Sequence, residues 1–171
     1  MFESITQALA AINILSNPTW DIVVILAMLA GGFFYGLSTG KVRIAATLLY
    51  TYVAYALFLA FPAERLSEIF NQDVFFVRII LFVALFLALV FLLGGKKHPG
   101  RAPTSTWWQV FLLSFLQVGL LIHILISFLS EETISTLAPI TKTVFANPDY
   151  TVWWFIVPMV VLILLKRFDN N

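Results

Sequence analysis

Val74–Leu93 reads VFFVRIILFVALFLALVFLL, an apolar run with a single charge, Arg78. A helix rises about 1.5 Å per residue, so such a run covers the roughly 30 Å hydrocarbon core of a bilayer. In lipid every backbone N–H and C=O must be bonded, which selects a helix over an open strand. The run does not alternate apolar and polar residues, so it is not a strand of a transmembrane barrel.

The same pattern repeats on both sides. Toward the amino end, Pro62–Asp73 is polar and acidic, with Glu64, Arg65, Glu68 and Asp73. Before it lie an apolar run ending at Phe61, the short break Ser38-Thr39-Gly40-Lys41, and another run opening near Asp21. So short a break joins antiparallel neighbours. Toward the carboxyl end, Gly94–Thr106 is a loop by composition, rich in Gly, Pro and bases. Trp107–Ser130 is a fourth run, and a shorter fifth leads to Lys166 and Arg167. The spans are therefore about 20–38, 42–61, 74–93, 107–130 and 150–166.

Composition agrees. The chain of 171 residues is 61% hydrophobic and 11% charged, whereas a soluble domain is nearer half apolar and a quarter charged. A net charge of +1 gives no field to attract nucleic acid. There is no cysteine, hence no disulfide or thiolate chemistry. Met1–Ser16 carries Glu3 and no base, so it reads as a retained element and not a secretory signal. The expected fold is all-α: one polytopic transmembrane helical bundle of about five spans, with one or two short interfacial helices. Those interfacial segments are about 2–16 (Phe2, Ile5, Leu9, Ile12) and 132–146 (Ile134, Leu137, Thr141, Val144, Phe145). Asn17-Pro18 and Asn147-Pro148 mark breaks after them.

Charge sets the orientation. With the amino terminus outside, Lys41, Arg43, Lys96, Lys97, Arg101, Lys166 and Arg167 face the cytoplasm, seven of the 10 bases. All acids but Asp169 then lie outside. The positive-inside rule favours this arrangement in a cell inner membrane, with the carboxyl terminus cytoplasmic. Trp20, Trp107, Trp108, Trp153 and Trp154 cluster at span starts and read as interfacial anchors.

Several side chains stand out inside the spans. Gly32, Gly36 and Gly40 recur every fourth residue on one helix face, where loss of side chains lets another backbone approach. The face packs against the second or third helix, or against another subunit. Ala84 and Ala88 form a weaker small-residue pair on the third span. Gln109, His123 and Ser127 fall within about 40° of one another on the fourth span. Such a polar stripe either bonds across helices or lines a path for a solute or proton. Arg78 is a charge within a span; it snorkels to the surface or pairs with Asp21 or Glu131. Thr47, Thr51 and Tyr55 line one face of the second span.

The sequence carries no HExxH, GxSxG or phosphate-loop motif, and no acid deep in a span. His98 stands alone in its loop, so no metal site is expected, and no cofactor. The protein is expected not to be an enzyme. Its expected partners are the lipid bilayer and other membrane proteins or a second copy of itself.

The first hairpin resembles the colicin V production protein family. The resemblance rests on Asp21 opening the first span, Gly36 and Gly40 closing it, the turn Lys41-Val42-Arg43, and Leu48, Leu49, Ala54 and Ala56 in the second. It spans roughly residues 21–61. Thr39 stands where that family commonly has arginine, and Arg43 where it commonly has an acid. The resemblance implies a small inner-membrane protein linked to secretion, toxin production or envelope function. The function expected is an assembly or scaffold component; the alternative is a small channel or transporter with its path along the fourth helix.

Overall fold

The computed structural model describes residues 20–94 and 107–169. The expected interfacial segment 2–16 and the basic loop Lys96–Arg101 lie outside them. Among the described residues the architecture is all-helical, and five helical stretches are long and apolar enough to cross a membrane. These are α1 (Trp20–Thr39), α2 (Lys41–Ala60), α4 (Val74–Leu93), α5 (Trp107–Ile126) and a last stretch, Pro148–Arg167, that includes α8 (Thr151–Asp169).

Local chemistry sets the breaks. Gly40 joins α1 to α2 at φ 82°, a conformation that strains any residue with a Cβ. Helix α3 (Ala63–Phe70) follows α2 and ends at Asn71, also left-handed at φ 48°. Asp73 then caps α4 by accepting the Phe75 N–H at 2.9 Å. The connection read as merely polar thus holds a helix, which buries Ala63 and Ser67 while Ile69 and Phe70 stay exposed.

Helix α5 is the axis. It packs on α1, α2 and α8, and most of its length is buried. Helix α4 packs chiefly on α2 and α3. Where α2, α4 and α5 converge, three phenylalanines interlock. Phe58 lies 4.7 Å from Phe128 and 6.4 Å from Phe82, with Phe82–Phe128 at 5.9 Å between ring centres. Lipid tails are as apolar as these side chains, so close packing and not water exclusion holds the spans together.

The segment after α5 departs from expectation. Helix α5 stops at Ile126, short of Ser130. Residues 132–146 do not form one helix lying flat. They break into α6 (Glu131–Thr136), the single turn α7 (Pro139–Thr141) and a π turn over Lys142–Ala146. Pro139 is the physical reason, because it forces Ala138 before it out of helical geometry, to ψ 147°. The break turns Leu137, Thr141 and Phe145 inward, where all three are buried.

Candidate functional site

The face of α5 collects most of the residues the sequence singled out, and it is built first by glycine. A Cβ on Gly32 would lie 2.3 Å from Val118 Cγ2. One on Gly36 would meet Ser114 Oγ at 2.3 Å and Ile44 Cδ1 at 2.6 Å. The glycine face of α1 therefore seats mainly on α5, the fourth span, and not on the third. Ile44 of α2 also touches it. Gly40 does not belong to this seam; a Cβ there would meet nothing within 4 Å, and its role is the turn. Ala84 and Ala88 are exposed on the outer face of α4.

The polar stripe divides into separate sites. Gln109 is buried near one end of α5 and accepts from Lys41 Nζ at 3.3 Å. Midway, Gln117 accepts from the Thr47 hydroxyl at 3.0 Å. Thr51 instead bonds within its own helix, to the Thr47 carbonyl at 3.0 Å. His123 is near the other end, about 21 Å from Gln109 along the helix at 1.5 Å per residue. Ser127 lies past the end of α5, exposed, with its hydroxyl on the Ile124 carbonyl at 2.7 Å. Its N–H still closes a helical bond to the His123 carbonyl at 3.0 Å, so Ser127 differs from His123 by its exposure and not by a change of backbone path.

His123 belongs to a cap over the end of α5. Its Nδ1–H donates to the Phe145 carbonyl at 2.7 Å, and Trp154 Nε1 donates to the Val144 carbonyl at 2.7 Å. Both acceptors sit in the π turn, whose backbone bonding is less regular than an α-helix. The rings stack as well: Phe145 on Trp154 at 5.0 Å, and Trp154 on His123 at 6.3 Å. Gly119 makes the room, since a Cβ there would lie 2.4 Å from the indole. Trp154 is thus half-buried and packed against the core, whereas Trp20, Trp107, Trp108 and Trp153 are exposed as anchors would be. One turn further along α8, Pro158 lacks the N–H of a regular helix. Nearby, the Phe155 carbonyl accepts from the Tyr52 hydroxyl at 2.7 Å.

The charged residues pair differently from the expectation. Arg78 bonds Glu64 at 3.0 Å, not Asp21 or Glu131. Helix α3 brings Glu64 over the start of α4, and that helix was not foreseen. Asp21 is 3% exposed and accepts the Ala138 N–H at 3.0 Å, tying α1 to the cap. Glu131 sits exposed in the first turn of α6, where a carboxylate complements the helix dipole.

Beside the cap an apolar cleft of about 340 Å³ opens between α1 and α4, floored by α5. Among the described residues no group of three or more His, Asp or Glu is placed to hold a metal ion. Among the described residues the arrangement offers packed seams, hydrogen bonds between helices and an apolar cleft.

No protein-family model, no curated protein and no solved structure matches the chain.

Proposed function

We propose that this chain is a non-enzymatic integral membrane protein that acts as an assembly or scaffold component, joining a second copy of itself along α4. The observation that carries this reading is the uncovered face of α4. That helix is the most apolar of the five, yet Phe76, Ile80, Ala84, Leu87, Ala88 and Phe91 remain exposed on it. Ala84 and Ala88 leave room on that face for another backbone to approach. The polar groups of α5 support the same reading from the other side. Gln109, Gln117 and His123 are bonded to Lys41, Thr47 and the Phe145 carbonyl, which supports a packed seam over a conduit.

The amino end faces outward and the carboxyl end the cytoplasm, in an inner membrane. Lys41 and Arg43 at one end of the bundle, with the bases after α4 and at the end of α8, support this placement. The likeness of the first hairpin to the colicin V production family adds a setting in secretion or envelope function. Single cysteines at Ala84 or Ala88, oxidised in membranes, test the assembly through this face. Cysteines at Arg43 and Glu132, labelled with an impermeant maleimide, test the orientation. Label reaching position 132 but not 43 from outside is expected; the reverse pattern inverts the topology.

A further inference from the structure

We infer that α3 is an in-plane membrane anchor, with its Leu66–Ile69–Phe70 edge sunk in the headgroup boundary at the Asp73 end of the bundle. This rests on the membrane placement above, and not on the orientation or the α4 contact.

The connection lays the helix across the spans. It joins the end of α2 at Ala60 to the start of α4 at Val74. Eight helical residues rise about 12 Å. From Phe70 the chain returns to Val74 through Asn71, Gln72 and Asp73, and three residues reach about 10 Å at full stretch. Asn71 is not stretched but turned left-handed, at φ 48°. A helix standing upright could not be closed by so short a return. Glu64 in its first turn also bonds Arg78, four residues inside α4, at 3.0 Å.

Three edges of α3 then meet three surroundings. Ala63 and Ser67 are buried on the side packed against α4. Leu66, Ile69 and Phe70 span about 100°, centred about a quarter-turn from that packed edge. Ile69 and Phe70 are 73% and 64% exposed, and Leu66 is half-buried. Glu64 and Glu68 lie about half a turn from Leu66, and both are exposed. With one edge against α4, the apolar edge points to the membrane and the acids to water. That is the partition of a helix lying in the interface, its apolar face about 5–10 Å into the acyl boundary. Arg65 borders Ile69, and its long stem can carry the charge back to water.

The apolar edge continues the lipid-facing surface of the spans. Leu59 and Phe61 before α3, and Phe76 after it, are 66%, 46% and 56% exposed. A protein partner would need more surface than this. A standard interface takes about 800 Å² and roughly 20–30 residues from each side, and α3 has eight. Lipid requires no matched shape and accepts a three-residue edge.

The test places a nitroxide on single cysteines of the full chain, which has none of its own, in phosphatidylcholine vesicles. Collisions with oxygen, which gathers in lipid, are read against those with a water-soluble nickel chelate. Ile69→Cys and Phe70→Cys should favour oxygen several-fold over Glu68→Cys. Val53→Cys, midway along α2, should favour it too. All four positions are exposed, so the substitutions spare the packing. Nickel access at Ile69 and Phe70 equal to that at Glu68 overturns the assignment, because the edge then faces water. Shielding of both positions from both reagents also overturns it, and gives the edge to another protein or a second copy. Val53 separates the failures. Nickel access there removes the membrane placement, whereas oxygen access there with nickel access at Ile69 and Phe70 removes only the anchor.

Discussion

Gly32 and Val118 meet so closely that a Cβ on the glycine would stand 2.3 Å from Val118 Cγ2. Valine is stiff about χ1 in a helix, so its methyl cannot swing aside cheaply. Gly32→Ala should destabilise the bundle by about 1–3 kcal/mol, the usual cost of overpacking. Val118→Ala in the same chain should recover most of that loss. Gly31 is the control, because a Cβ there meets nothing within 4 Å. Gly31→Ala should be neutral or stabilising by up to about 1 kcal/mol through helix propensity. Unfolding in detergent followed by circular dichroism measures all three variants.

The cap depends on His123 and Trp154 holding two carbonyls of the π turn. His123→Ala should cost about 1–3 kcal/mol, since it leaves the buried Phe145 carbonyl without its donor, whereas Trp154→Phe, whose bond to the Val144 carbonyl is exposed, should cost about 1 kcal/mol or less. Faster amide exchange should be confined to residues 137–150. Solute flux into liposomes should be the same for His123→Ala as for the parent chain. Flux that depends on His123 would favour a conduit along α5.

Arg78 and Asp21 act separately. The Arg78–Glu64 pair is solvent-accessible, with Glu64 72% exposed. Glu64→Gln should therefore cost under about 1 kcal/mol. Asp21→Ala should cost about 1–3 kcal/mol, because it strands the Ala138 N–H in a buried site. A double-mutant cycle between Arg78 and Asp21 should give a coupling near zero.

Hydropathy made the spans legible, because lipid permits little but helices of that length. The cap was not legible in the same way. Ile134, Leu137, Thr141, Val144 and Phe145 carry a helical period, yet Pro139 interrupts it, and the proline was the available signal. Helix α3 was hidden because Glu64, Arg65 and Glu68 dominate so short a segment. For the site, the glycine row marked a seam but not which helix would fill it; that depends on the side chains of Val110, Ser114 and Val118. Asp21 could not be matched with Ala138 from sequence, since its partner is a backbone N–H that any residue but proline supplies. Gly119 and Trp154 drew no notice as a pair, because a lone glycine in a span and a tryptophan at a span start each have a commoner reading.

The central claim is that α4 presents a face for a second copy. The chain has no cysteine, so single substitutions report without background. Ala84→Cys and Ala88→Cys, oxidised in native membranes, should form disulfide-linked dimers, while Leu59→Cys on α2 should not. Absence of dimers at both alanines, or equal crosslinking at Leu59, would contradict the account.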